Sequence, residues 1–279
     1  MKSILVPMEA TDGMAATLQT ALLLARRCGA YIESFALRFA ISELIAVDPE
    51  GTIPLESFHQ DRLQDAAAAR KEFEAFMQAQ QVPLAQGATG ALSYGWLDQA
   101  PEGDGFVGNY GRVFDLTVLA RPGPEASGLH RRAIESAMFE SGRPVLLAPP
   151  VAPGTIATNV MIHWNASTEQ STTTAFAMPL LAQADRVTVL EVAGGQGVPG
   201  PPAAQLVNNL KRNGIDAKLM SVPVEGRTTG VAVLAAAKAE GSDLLVKGAY
   251  TQSRLRQMIF GGTTSHILAN AELPVLMAR

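Results

Sequence analysis

Short apolar runs alternate with longer segments of helical character along the whole chain. In the second half, the runs at 187–190 and 244–246 are apolar without interruption, as in strands whose two faces are both buried. This alternation predicts a parallel sheet with helices on both faces. The strands are predicted at 158–164, 186–192, 216–222, 243–248 and 274–278. The helices are predicted at 169–184, 201–213, 229–240 and 262–271.

The first half follows the same plan, with one additional segment. Its strands are predicted near 2–7, 30–37, 86–93, 115–120 and 144–148. An insertion at 39–60 separates the second strand from a helix at 61–80, and its proline and glycine residues are typical of a loop. Right-handed crossovers leave few topologies for such a half, so each half is predicted to be a doubly wound, Rossmann-like α/β domain.

The two halves repeat each other. Asp115-Leu-Thr-Val-Leu reappears as Asp243-Leu-Leu-Val, and Arg143-Pro-Val-Leu-Leu-Ala reappears as Leu273-Pro-Val-Leu-Met-Ala. Self-similarity over such a distance indicates a duplicated domain. We therefore expect domains at 1–150 and 158–279, each large enough to bury its own core, joined by a proline-rich linker at 149–157.

Composition excludes several classes of protein. The formal net charge of −4 gives no electrostatic footprint for nucleic acid. No apolar run is long enough for a membrane span, and the N-terminus passes directly into a strand, so we expect a cytoplasmic protein without a signal peptide. Cys28 is the single cysteine, and the four histidines have no metal-ligand spacing, so no metal site is predicted.

The candidate chemistry lies after the fourth strand of the second half. Ligands of open parallel sheets bind beyond the carboxyl ends of the strands, where the strand order reverses. Gly248 leaves that strand, and the last helix begins at Gly261-Gly262-Thr263-Thr264. Paired glycines let a ligand approach the exposed N–H groups of a helix start, whose dipole favours an anion. Simple capping of the helix and a tight turn explain the same residues equally well.

The same segment resembles the end of a universal stress protein domain. Nucleotide-binding members of that family carry G-x-x-G, nine residues, then G-[S/T]. The spacing here is Gly248, Thr251 and Gly261, with Thr251 in place of the second glycine and Gly262 in place of the usual hydroxyl residue, before Thr263. The opening of the second half at 160–165 and its close at 273–276 are also similar to members of this family.

The resemblance implies a fold and a ligand. Each domain would have a five-stranded parallel sheet of order 3-2-1-4-5, and the second would bind an adenine nucleotide, ATP or AMP, with or without Mg²⁺. Asn165 would contact the ribose or adenine, and Val192 would flank the base. The phosphates would lie at the loop and helix start formed by Gly248, Thr251, Gly261, Gly262, Thr263 and Thr264. Glu9 is the counterpart of Asn165 in the first half.

The first half lacks this motif. Pro122 and Pro124 remove N–H donors from the corresponding loop, so this half is interpreted as a structural or partner-binding copy. The resemblance also implies that the last strands, 144–148 and 274–278, meet as in a dimer of single-domain relatives. Association of two such chains into a further homodimer is left open.

Two functions of other classes compete with a nucleotide-binding stress protein. One is a nucleotide-free stress adaptor, in which the insertion at 39–60 and the acidic first half contact an unknown protein partner. The other is a slow ATP hydrolase. Against it, the sequence offers no persuasive general base or acidic metal cluster in the cleft region. We therefore predict no catalytic residue.

Overall fold

The computed structural model describes residues 1–9, 11, 13–38, 55–87, 90–123, 128–249 and 262–279. These residues form two compact units. The first unit contains the described residues up to 120 together with 128–143, and the second contains 121–123 and the described residues from 144 onward. Within the described ranges, every helix is too short or too polar for a membrane span.

The first unit alternates strands and helices around a parallel sheet. The strands are β1 (Ser3–Met8), β2 (Tyr31–Ala36), β3 (Ser93–Trp96) and β4 (Leu116–Ala120). The helices are α1 (Met14–Cys28), α2 (Leu55–Ala79), α3 (Gly105–Gly111) and α4 (Gly128–Glu140). The sheet order is β3-β2-β1-β4, and the β1–β2, β1–β4 and β2–β3 pairs are all parallel. Residues 39–54 of the predicted insertion lie outside the described residues.

The second unit has the predicted strand order. Its strands are β5 (Val145–Ala148), β6 (Asn159–His163), β7 (Arg186–Ala193), β8 (Ala217–Pro223), β9 (Leu244–Val246) and β10 (Val275–Met277). Its helices are α5 (Thr168–Leu181), α6 (Ala203–Arg212), α7 (Thr229–Ala239) and α8 (Gly262–Asn270). The run β8-β7-β6-β9-β10 confirms the order 3-2-1-4-5. All residues of β6, β9 and β10 are buried, as the uninterrupted apolar runs predict.

One strand comes to the second unit from the first half of the sequence. Strand β5 pairs antiparallel with β10, with Leu146 opposite Leu276 and Val145 opposite Met277. The segments 144–148 and 274–278 therefore lie side by side in the second unit. The pairing covers apolar strand edges that would otherwise invite aggregation.

Two predictions for the first unit were wrong in detail. The third strand lies at Ser93–Trp96 rather than 86–93, because the chain turns at Gly87, where φ is +76°, and only Leu84 forms an isolated bridge to Tyr94. Helix α3 was not predicted, because three glycines among seven residues oppose helix formation. Its Phe106 stacks on Tyr110 and packs edge-on against Phe35, so tertiary contacts stabilise it.

An aspartate holds the start of the central strand in each unit. The carboxylate of Asp115 accepts hydrogen bonds from the backbone N–H groups of Lys2 and Ser3 at 2.5 and 3.2 Å. Asp243 accepts from the N–H groups of Thr158 and Asn159 at 3.1 and 2.8 Å. The repeated aspartates in the sequence thus perform the same structural task, pairing N–H groups at the start of each sheet.

Candidate functional site

The carboxyl ends of β6 and β9 form the switch point of the second unit, because β6 is the first and β9 the fourth strand of its 3-2-1-4-5 order. Asn165 lies two residues beyond β6 and is half-buried. Its Oδ1 accepts a hydrogen bond from the Ser167 N–H at 3.2 Å, and Ser167 in turn caps α5 by accepting from the Gln170 N–H at 3.1 Å. The predicted ribose-side residue is therefore held at the entrance to α5.

A glycine-rich loop after β7 covers the Asn165 turn. The Val198 N–H donates to the Asn165 carbonyl at 3.1 Å, and the Trp164 indole N–H donates to the Pro201 carbonyl at 2.9 Å. Val192, predicted to flank a base, is buried at the foot of this loop, where its carbonyl accepts from the Gly195 N–H at 3.0 Å. This loop was not predicted, although glycines at 194, 195 and 197 directly after a strand were an available signal.

The same loop reaches the start of α8. The Thr263 hydroxyl donates to the side-chain oxygen of Gln196 at 2.9 Å, and the Gln196 N–H donates to the Thr229 hydroxyl at 2.9 Å. Gly262 has a φ of +77°, and a Cβ on it would stand 3.3 Å from that side-chain oxygen. Thr264 is buried. Glycine is therefore needed at Gly262 for its backbone conformation, and Gln196 is hydrogen-bonded to Thr263, a predicted phosphate-site residue.

Gly248 supports the other side of the switch point. A Cβ at this residue would lie 2.4 Å from the backbone nitrogen of Gln170, so only glycine lets the first turn of α5 approach β9 this closely. The Gly248 N–H donates to the side-chain oxygen of the fully buried Gln170 at 2.6 Å. This N–H group is thus already paired within the protein.

Three ionisable groups lie beneath this edge. His163 and Lys247 are each 2% exposed, and Glu169 lies in the first turn of α5. Burial lowers the pKa of Lys247 to about 8, while the charge of Glu169 acts in the opposite direction. Burial and the positive charge of Lys247 lower the pKa of His163 to about 3. His163 is consequently neutral at physiological pH and Lys247 is mostly charged.

The structure brings part of the predicted site together. Asn165 and Thr263 are joined through the loop after β7, with Gly262 next to Thr263, and Gly248 is joined to the Asn165 turn through Gln170. Thr251 and Gly261 lie outside the described residues. Among the described residues, no group of three or more His, Cys, Asp or Glu side chains is arranged to hold a metal ion.

The switch point of the first unit is closed by its own side chains. His130 Nε2 lies 3.0 Å from the Ala120 carbonyl at the end of β4, and Nδ1 lies 2.8 Å from a carboxylate oxygen of Glu9, directly after β1. A carbonyl only accepts, so Nε2 carries a hydrogen. The contact between Nδ1 and Glu9 is also within hydrogen-bond distance, so His130 bridges the ends of β1 and β4. Both side chains are buried.

Replacing Glu9 tests this pairing. Glu9→Leu is expected to lower the free energy of unfolding by about 2 kcal/mol at pH 7, because it removes a buried hydrogen bond between Glu9 and His130. Glu9→Gln is expected to retain most of the stability, since its side-chain amide can keep a hydrogen bond to Nδ1. Urea denaturation of both variants measures the difference. Equal losses in the two variants would contradict a stabilising hydrogen bond between the two side chains.

Comparison with known proteins finds a family model that matches part of the chain. Residues 182–279 match the model of the Universal stress protein family. The structure is similar to that of a universal stress protein from Archaeoglobus fulgidus DSM 4304, with a TM-score of 0.74, 13% sequence identity and coverage of 99% of this chain and 96% of that chain. A functionally unknown protein from Pseudomonas aeruginosa PAO1 is also similar, with a TM-score of 0.53, 14% identity and coverage of 100% and 92%.

No curated protein sequence matches the chain. At identities of 13–14%, similarity to the solved structures establishes the fold and says nothing about ligands. The family match includes β7 to β10, and with them the glycine-rich loop, Gly248 and the start of α8. Residues 182–279 therefore match the universal stress protein family, on a fold that the whole chain shares with a solved universal stress protein.

Proposed function

We propose that this chain is a stress-response protein of the cytoplasm whose second unit binds an adenine nucleotide, ATP or AMP, at its carboxyl edge. The observation that carries the proposal is the meeting of Asn165, the loop after β7 and the start of α8 at one edge. This edge contains the topological switch point, where ligands of doubly wound sheets bind.

The residues of this edge fit a nucleotide. The absent side chain at Gly262 keeps the start of α8 open, and Thr263 adds a hydroxyl group. In the proposal, Asn165 binds the ribose or adenine, Val192 flanks the base, and Gly248, Gly262 and Thr263 lie at the phosphates. Thr251, Gly261 and Thr264 complete the phosphate segment that the sequence predicts. Mg²⁺ would arrive with the phosphates, which is its usual mode of binding.

A nucleotide-free adaptor remains the second candidate, because two of these groups already have partners. Gly248 donates its N–H to Gln170, and Thr263 donates its hydroxyl to Gln196. A ligand would have to compete with these hydrogen bonds or leave them in place. If the protein is such an adaptor, it acts through an unidentified protein partner instead of a nucleotide.

We also infer that the chain is a duplication of one domain, with copies at 1–150 and 158–279. The matching hydrogen bonds of Asp115 and Asp243 at the start of each central strand support this inference. The pairing of β5 with β10 supports an arrangement in which the two copies replace a dimer of single domains.

Calorimetric titration with Mg-ATP, after removal of carried-over ligand, tests nucleotide binding. We expect micromolar affinity at one site per chain, and a loss of at least about tenfold in Gly262→Val, because a β-branched residue is strained at a φ of +77°. Gly214→Val is the matched control, since Gly214 also has a φ of +77° but precedes β8 at the opposite edge of the sheet. Absence of heat, with no nucleotide released from the purified protein, would favour the adaptor.

A further inference from the structure

Lys247 is a buried cation at the switch point of the second unit. It directly follows β9, and His163 ends the neighbouring β6. The register pairs Ile162 with Val246, so His163 and Lys247 occupy the next position of the two parallel strands. Each is 2% exposed. A lysine this deeply buried is rare unless its charge is paired or serves a ligand.

The charge of Lys247 is only partly compensated by the described residues. Its ammonium group donates to the carbonyl of Gly248 at 2.6 Å, and no described carboxylate lies within 4.0 Å of it. Glu169 acts on it from the first turn of α5 without forming an ion pair. A single backbone carbonyl leaves two of the three ammonium hydrogens for other acceptors.

Two further polar atoms in this neighbourhood have no hydrogen-bond partner in the part of the chain that the structure describes. They are Nδ1 of His163 and Oε2 of Glu169, and both are buried. Native proteins pair nearly all buried polar atoms, so these two atoms have hydrogen-bonding capacity left for a water or a ligand at this edge. The group lies beneath Gly248, whose own carbonyl is held by Lys247.

We propose that Lys247 is the fixed positive charge that makes the carboxyl edge of the second unit select phosphate-rich anions, and so favour ATP over AMP. This proposal rests on the proposed function for the location of the ligand, and it adds a reason for the preference among ligands. Lys247 acts through its electric field and through the Gly248 carbonyl, as a specificity-determining residue beneath the ligand. His163 remains neutral beside it, so the positive charge is not doubled.

The test compares ligands of increasing charge on wild type and Lys247→Met by calorimetry at pH 7. Adenosine is uncharged and should bind both proteins equally. AMP should weaken by a few-fold in the variant, and ATP by about tenfold or more, because an added phosphate charge interacts with the lost ammonium. Leu245→Met is the matched control, since it introduces methionine at a buried position of the same strand without a change in charge.

Each outcome decides the proposal. Equal weakening of adenosine and ATP would show damage to the site as a whole and overturn a charge-specific role, as would unchanged ATP affinity. If wild type binds no nucleotide, the proposed function fails, and inorganic pyrophosphate becomes the deciding probe. Pyrophosphate binding that is lost in Lys247→Met would support Lys247 as the anion-selecting charge. Absence of pyrophosphate binding to wild type would overturn it.

Discussion

Lys247→Met is expected to raise the free energy of unfolding by roughly 2 kcal/mol near pH 7. Burial lowers the pKa of this lysine from 10.5 to about 8. Because a tenfold change in an equilibrium constant corresponds to about 1.4 kcal/mol, the charged form costs the folded state roughly 3 kcal/mol. Methionine removes that cost, but it also leaves the Gly248 carbonyl without its donor, which takes back about 1 kcal/mol.

The stability difference should depend on pH in a defined direction. Between about pH 8 and 10.5, the unfolded wild-type chain still binds the proton that folded Lys247 has released. Wild-type stability attributable to this group therefore rises with pH across that range. Urea denaturation of wild type and Lys247→Met at about pH 7 and pH 9.5 measures this, with Leu245→Met as the control for packing. The advantage of Lys247→Met should shrink at the higher pH, and parallel profiles would exclude a buried charged lysine.

Gly248→Ala is expected to lower the free energy of unfolding by roughly 3 kcal/mol. The added Cβ would stand 2.4 Å from the nitrogen and 2.7 Å from the Cα of Gln170. These are backbone atoms of α5, so no side-chain rotation relieves the contact, and the helix must move away from β9. Overpacking of this kind typically costs about 1–3 kcal/mol. Movement of α5 would also break the hydrogen bond from Gly248 to Gln170.

Gly154→Ala provides the matched control for this substitution. A Cβ at Gly154 would meet no atom within 4 Å, so the same chemical change should leave stability within about 0.5 kcal/mol of wild type. Chemical denaturation of both variants gives the comparison. A Gly248→Ala protein as stable as Gly154→Ala would mean that α5 does not press against β9 as the structure has it.

The second unit was predictable because local and global signals agree there. The uninterrupted apolar runs identify the strands. The ends of α6 are marked by Pro202 before it and by Gly214, with its φ of +77°, after it. Tertiary packing leaves these elements unchanged. In the first unit, α3 was missed because aromatic contacts of Phe106 and Tyr110 override the poor helix propensity of its glycines. Propensity carries no information about such contacts.

The candidate site was only partly predictable. Asn165, Gly262 and Thr263 follow from position after a strand or at a helix start, and the structure links them. Gln196 could not be identified, because its role depends on how the loop after β7 crosses to α8. Lys247 looks in the sequence like a polar residue ending a strand. The burial of Lys247 depends on tertiary packing, and no local sequence pattern specifies such packing.

The pairing of β5 with β10 has a consequence for the order of events during synthesis. Residues 145–148 emerge from the ribosome long before residues 275–277, which are their antiparallel neighbours. Strand β5 therefore stays without its antiparallel neighbour β10 while most of the second half is translated. Contacts so distant in sequence form late and slowly, because a long loop has to close first. A chain interrupted before residue 275 would leave β5 with an open apolar edge.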